Sequence, residues 1–292
     1  YGARPLARWK RQRMRLRPTP TAAAMKLATW NINSIRARAD RALAFLERED
    51  IDVLALQETK CKDAQFPREA FEAAGYEIAT FGFSQWNGVA ILSRVGLDDV
   101  EPGFLEQPQF GEVPAVEARA LGATCGGVRV WSLYVPHGRA LDNPHYAYKL
   151  AWLERLRQHA VDWVAADPAT KVALVGDWNV APFDTDVWDM AVFEGQTHVS
   201  APERAAFAAF ADAGYTEVSR EFIPDERKYT YWDYQQLRFP KNEGLRIDFA
   251  YTSPALTPLV RGVTIDRDER KGKGASDHVP VILDIDDSQV SA

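Results

Sequence analysis

Short apolar runs that end in turns, one after another, most restrict the folds open to this chain. "KLATWNIN" (26–33), "IDVLALQE" (51–58), "GVAILSR" (88–94), "AVEARAL" (115–121), "VRVWSLYV" (128–135), "KVALVGD" (171–177), "LRIDFAYTS" (245–253) and "VPVILDI" (279–285) read as strands by length and residue type. Three segments carry helical spacing. They are "ADRALAFLERED" (39–50), "HYAYKLAWLERLRQHAVDWVAAD" (145–167), which stops before Pro168, and "APERAAFAAFADAG" (201–214). Ser200 and Glu203 introduce the last at capping-box spacing. Strands that follow one another without helices between them do not build a doubly wound parallel sheet. They point to mixed sheets faced by a few helices, an α/β sandwich. A chain of 292 residues, 46% of them apolar and nine of them tryptophan, can bury a core of that size.

Charge is divided unevenly. Residues 1–24 hold seven of the 35 basic residues and no acid, so the remainder carries 28 basic against 41 acidic residues, a balance of −13. Such a basic run suits an arm drawn to phosphates, an organelle-targeting segment, or sequence upstream of the true start. Met25 directly precedes the first strand, which favours the third reading. It leaves a basic, disordered extension over 1–24, one domain over 25–288 and a short tail over 289–292. An acidic body does not advertise nucleic-acid binding, and any polyanionic substrate must meet a local basic patch or a metal. No run reaches the roughly eighteen apolar residues of a membrane span. Cys61 and Cys125 lack metal-type or redox-type spacing, and two thiols in a chain this long suit a reducing compartment, by default the cytoplasm.

Polar residues recur where the strands end. Asn31 and Asn33 follow "LATW", Glu58 follows "VLALQ", Asp177 and Asn179 follow "VALVG", Asp248 interrupts "LRIDF", and Ser276-Asp277-His278 precedes the last strand. Singly, Asn and Asp at such points are ordinary turn formers. Glu58 is a poor turn residue, and Asp248 between Ile247 and Phe249 needs a buried partner. His278 is the natural one, because a carboxylate fixes the ring tautomer and favours its charged form. A Mg²⁺ ion, which prefers oxygen ligands, would tie the set together through Glu58 and Asn31. Phosphodiester hydrolysis then needs a positioned water, for which Asp177 is a candidate base. It also needs donors to the phosphate oxygens, for which Tyr134, Asn179 and His278 are candidates. The cysteine and histidine pattern does not fit a zinc site, and no G-x-S-x-G elbow is present.

In order, "TWNINSIRAR" (29–38), "LQETK" (56–60), "NGVAILSR" (87–94), "LYVPHGR" (133–139), "GDWNVAP" (176–182), "YTYWDY" (229–234), "GLRIDF" (244–249) and "SDHVP" (276–280) resemble the successive motifs of the exonuclease III family of abasic-site DNA endonucleases. The resemblance runs from about Lys26 to Ile285. It implies a four-layer α/β sandwich, two mixed sheets face to face with helices outside. It also implies cleavage of double-stranded DNA 5′ of abasic sites and removal of nucleotides or blocking groups from 3′ ends, with Mg²⁺ or Mn²⁺, by a monomer. On matching positions Glu58 binds the metal with Asn31, Asn33 and Asp277 nearby. Tyr134 contacts the phosphate, Asp177 aligns or deprotonates the water, Asn179 orients Asp177, and Asp248 pairs with His278. Tyr231, Leu245 and Ile247, with Trp232 beside them, fall where relatives shape a pocket for a baseless sugar. Asn33, Arg36, His137 and Arg139 are further candidates to bind the substrate. Asn33 stands where some relatives have Asp, Ser34 where many have Gly, and His137 where Asn or Gln is common, so a phosphate contact at His137 is expected to depend on pH.

Arg36, Arg38, Lys60, Lys62, Arg139, Arg238, Lys241, Arg270, Lys271 and Lys273 flank these motifs and offer a basic groove on an acidic body. Two other readings compete. One keeps the chemistry and changes the substrate to an inositol phosphate or phospholipid headgroup. The other is a catalytically silent DNA-binding relative, whose signature would be loss of a polar strand-end residue.

Overall fold

The computed structural model describes residues 24–286 and 288; most of the basic N-terminal run and the last four residues lie outside them. In chain order the elements are β1 (Ala24–Asn31), α1 (Ile35–Glu49), β2 (Val53–Gln57), α2 (Arg68–Ala73), β3 (Glu77–Phe81), β4 (Val89–Ser93), β5 (Asp98–Pro102), β6 (Ala120–Cys125) and β7 (Val128–Tyr134). There follow α3 (Pro144–Ala166), β8 (Val172–Asp177), α4 (Met190–Phe193), α5 (Ala201–Asp212), β9 (Thr216–Glu217), α6 (Val218–Phe222), β10 (Asp248–Thr252), β11 (Val260–Ile265) and β12 (Val281–Asp286).

The strands form two six-stranded sheets, in the orders β11-β12-β1-β2-β4-β3 and β5-β6-β7-β8-β10-β9. In the first sheet β1 and β2 run parallel, and in the second β7 and β8 do. A parallel pair needs a long crossover. α1 supplies the first and α3 the second, so two of the three segments with helical spacing are those the parallel pairs require. β4, β10 and β12 join as antiparallel neighbours.

Three apolar layers follow. Leu27, Val53 and Ile91 of one sheet meet Leu121, Val130 and Val175 of the other between the sheets. The opposite faces pack Trp30, Leu54 and Leu56 against Phe45 and Phe71 of α1 and α2, and Trp131, Leu174 and Phe249 against Trp152 and Phe207 of α3 and α5. The four-layer α/β sandwich is therefore the architecture.

Two elements differ most in their boundaries from the sequence reading. α1 begins at Ile35 rather than Ala39, because the Ser34 side chain accepts the Ala37 N–H and caps it earlier. β6 begins at Ala120, not Ala115, and runs through Gly122. That glycine is no breaker: a Cβ there would come within 2.8 Å of the Trp131 ring on β7.

Candidate active site

The C-terminal ends of the two central parallel pairs lie together at one rim of the sandwich. β1 ends in Asn31 and β2 leads into Glu58, while Tyr134 ends β7 beside Asp177, which ends β8. β10 enters antiparallel with Asp248 directly opposite Asp177. The segment before β12 brings in His278, whose backbone Trp30 Nε1 and Ser276 Oγ hold. Gly176 makes the approach possible, since a Cβ there would collide with the Leu133 carbonyl oxygen. Trp178 packs away from the rim against Phe207, Phe210 and Tyr251, and donates Nε1 to the Phe249 carbonyl at 3.2 Å. The loops are also strained: Asn33, Glu58, Lys60 and Asn179 have φ of 46°, 50°, 53° and 51°. For Glu and Lys such values carry a conformational cost that surrounding contacts must hold in place.

His278 stands between two carboxylates. Its Nδ1 lies 2.8 Å from Asp248 Oδ2 and its Nε2 3.6 Å from Asp177 Oδ2. Burial pushes its pKa down, but Asp248 and then Asp177 overcome that and raise it to about 10, so the ring is charged at neutral pH. Asp177 is buried as well. Burial, with Asp248 and Glu58 adding to it against the pull of His278, lifts its carboxyl to about 7. Its Oδ1 accepts the Asn179 N–H at 3.0 Å and its Oδ2 the Asn31 amide at 3.0 Å. Burial and the nearby Glu58 charge hold the Tyr134 phenol protonated, while the Arg119 guanidinium covers its ring at 4.7 Å.

Glu58, Asp177 and His278 offer ligand atoms all within 4.8 Å of one another, a possible metal cluster. The donor chemistry favours the two carboxylates alone, because a charged imidazole has no lone pair for a metal. Glu58 suits the role best. Burial raises its pKa, but Lys60 and the Asn31 amide outweigh this, so it stays ionised. Asn31 is a bracket more than a ligand: Nδ2 bridges Glu58 Oε1 (2.8 Å) and Asp177, and Oδ1 takes the Asn33 N–H (3.1 Å). Asn33 bonds Asp277 Oδ1 at 3.2 Å and accepts from Lys60, whose Nζ is also 3.1 Å from Glu58 Oε2. An oxygen-rich, anionic rim of this kind fits a hard divalent cation.

These groups open into a cleft of about 390 Å³ that Glu58, Tyr134, His137, Arg139, Asp177, Asn179, Tyr231, Leu245, Ile247, Asp277 and His278 help to line. The Tyr231 ring leans on His278 at a tilt of 58°, with ring centroids 4.9 Å apart. Of the residues expected to meet substrate, Asn33 stands at the rim through its bond to Asp277, and two others stand elsewhere. Trp232 is buried, its ring against Phe239 and its Nε1 on Asn242, because only alternate residues of this extended segment face the cleft. Arg36 borders a separate depression with Lys62 and Trp86. Several other flanking cations are engaged: Lys60 with Glu58, Arg238 with Glu243, Lys271 with Asp268.

The cleft also holds residues that the sequence did not mark, among them Trp188, Gln196, Thr197 and His198. They come from a stretch between β8 and α5 with no apolar period to anchor a reading. His198 packs edge-on against His137 at 4.7 Å. His137 Nδ1 accepts the Arg139 N–H and His198 Nδ1 donates to the Asn179 carbonyl, so His137 keeps its proton on Nε2. Burial and Lys149 push His137 to about 4 and His198 to about 3. Both are neutral near pH 7, so any titration of His137 falls in acid.

Residues 28–278 match the Endonuclease/Exonuclease/phosphatase family. The exodeoxyribonuclease of Bacillus subtilis is 30% identical over 270 residues, covering 89% of this chain and 98% of that protein. An AP endonuclease from Archaeoglobus fulgidus is 32% identical with a TM-score of 0.82, over 90% of this chain and 99% of the other. A 3′ phosphatase from Neisseria, solved bound to a product DNA hairpin, is 34% identical with a TM-score of 0.84 over the same shares. The chain belongs to the endonuclease/exonuclease/phosphatase family, in its exodeoxyribonuclease III and AP endonuclease branch.

Proposed function

We propose that this chain is a DNA-repair phosphodiesterase that hydrolyses the backbone of double-stranded DNA 5′ of abasic sites and clears nucleotides or blocking groups from 3′ ends. One observation carries the reading: Asp248, His278 and Asp177 form a buried relay, of which His278 and Asp177 face a cleft rimmed by Glu58 and Asp277. Asp177, poised near neutrality, accepts a proton from the attacking water. His278, held charged by Asp248, donates to a non-bridging phosphate oxygen as negative charge grows there. The protonated Tyr134 hydroxyl adds a donor from the β7 end, and the Asn179 amide, which gives one N–H to the Val135 carbonyl, offers its second from beyond the β8 end. The relatives' names and the hairpin complex support DNA as the polymer. Leu245 and Ile247 give the cleft an apolar wall suited to a baseless sugar.

Glu58 is the principal metal ligand in this proposal, with Asp277 beside it and Asn31 bracing the carboxylates. A bound Mg²⁺, or Mn²⁺ in its place, would neutralise phosphate charge and polarise the P–O bond. We place the enzyme in the cytoplasm as a monomer. Among the described residues no helix is long and apolar enough to cross a membrane. The test is a side-by-side assay of an abasic duplex and a duplex ending in a 3′-phosphate, each with Mg²⁺ or with chelator. Metal-dependent incision and 3′-end release are expected. Hydrolysis of a phosphoinositide with both DNAs intact at enzyme excess would transfer the site to the rival substrate class.

A further inference from the structure

A fully buried ion pair lies beneath the cleft. Lys149 of α3 and Glu203 of α5 meet at 2.6 Å with both side chains sealed from solvent. Such a pair stabilises a fold little by itself, since desolvation offsets the attraction and an apolar pair of similar volume is often as stable. Its partners explain where it sits. Lys149 Nζ donates to the carbonyls of Asn179 (2.6 Å) and His137 (3.2 Å). Glu203 Oε1 accepts from Thr197 Oγ1 (2.5 Å) and the His198 N–H (3.0 Å), while Oε2 caps α5 through Ser200.

Three loops distant in sequence are thereby tied at one point: the one after β7, the one after β8 and the one before α5. Each turns a residue into the cleft on its other side, His137, Asn179 and His198. The junction has no slack, because a Cβ on Gly138 would come within 2.7 Å of Thr197 Oγ1 and 3.2 Å of the Lys149 chain. Asn179 has left-handed backbone, a conformation asparagine tolerates, and contacts to its carbonyl fix its direction. Its carbonyl receives two, from Lys149 and from His198 Nδ1 at 2.5 Å.

We propose that Lys149 and Glu203 are positioning residues for the hydrolytic site: the pair grips the Asn179 carbonyl from below and so aims the Asn179 side chain beside Asp177. The inference rests on the nuclease reading above. A structural cross-link would only hold the fold; a positioning pair must act through Asn179, and a double-mutant cycle separates the two.

The experiment measures kcat, KM and the unfolding midpoint on the 3′-phosphate duplex with Mg²⁺ for the wild type, Lys149→Met/Glu203→Met, Asn179→Ala and the triple variant. The apolar pair should unfold at a lower midpoint, because the His137 carbonyl, the Thr197 hydroxyl and the His198 N–H lose buried partners, and, still folded under the assay, should lose about 10- to 100-fold in kcat with KM changed by less than about threefold. In the Asn179→Ala background the same replacement should remove no more than about a further threefold. Losses that multiply, or an apolar pair with full kcat, overturn the inference while leaving the nuclease reading intact. An inactive wild type overturns both. Should the apolar pair not fold, Glu203→Gln runs through the same cycle, with a loss of about fivefold that vanishes beside Asn179→Ala as the expected result and a multiplicative loss as the overturning one.

Discussion

Replacing Asp248 by Asn tests the electrostatics of the site at a residue that does not line the cleft. The amide oxygen can still accept the His278 Nδ1 proton, so ring and tautomer stay in place while a charge 2.8 Å away disappears. Two unit charges about 4 Å apart interact by about 4 kcal/mol at an effective dielectric near 20. At about 1.4 kcal/mol per pH unit, that moves the His278 transition down by roughly three pH units. His278 starts at about 10, above its ordinary 6.5. The sign follows: its charged form contributes to stability fully below 6.5, and that contribution is lost as pH rises through about 10. In the variant it is lost near pH 7 instead. Asp177 also loses a neighbour that raises it, so the acid limb near 7 moves down as well. The assay is kcat/KM from pH 5 to 10 at one saturating Mg²⁺ concentration. A bound cation lowers both limbs together, so the comparison is made between proteins at equal metal. The variant should lose about 100-fold at pH 9 and far less at pH 6. An alkaline limb left at its wild-type position would show that Asp248 does not hold His278 charged, and the donor role assigned to His278 would fall with it.

Asp177→Asn should cut kcat by a factor on the order of 10³ or more while DNA binding, measured with chelator present, persists. An unchanged rate removes Asp177 from the chemistry. Glu58→Gln should raise the Mg²⁺ concentration for half-maximal rate by at least about tenfold, read by metal titration of activity. Equal titration curves would move the ion elsewhere. Trp178→Ala should lower stability by about 3–5 kcal/mol in denaturant unfolding, because a fully buried indole and its Phe249 bond are lost together. A loss under about 1 kcal/mol would contradict the packing described.

What the sequence conveyed about the fold depended on where each strand lies in its sheet. The strands recognised in advance, including β1, β2, β7, β8, β10 and β12, are central and almost wholly buried, so their apolar runs are continuous. The four not recognised, β3, β5, β9 and β11, are the four sheet edges. β5 reads "DDVEP" with every residue exposed, and β11 buries only Val260 and Val263, with a register shift between Val260 and Gly262. Edge strands carry charge and irregularity because a flat apolar edge would pair with another chain. The property that protects them also erases their signature.

The site divides along a different line. The residues proposed to build the hydrolytic site sit at or just beyond the ends of central strands, where a polar side chain interrupts an apolar run, so Asn31, Glu58, Asp177, Asn179 and Asp248 stand out by contrast. Lys149 and Glu203 sit inside amphipathic helices, where Lys and Glu are ordinary. Glu203 was legible as the fourth member of a capping box, and the cap exists, but one carboxylate oxygen makes that cap while the other reaches Lys149 and the floor of the cleft. Helical periodicity reports which face a residue occupies, not what a neighbouring helix places opposite it. The residues to which the chemistry is assigned are therefore visible one at a time in the sequence, whereas those proposed to aim them are visible only with α3 and α5 packed side by side. For the same reason Asn179→Ala and the Lys149–Glu203 replacement should fail together in the double-mutant cycle: one removes the group that is aimed, the other what aims it.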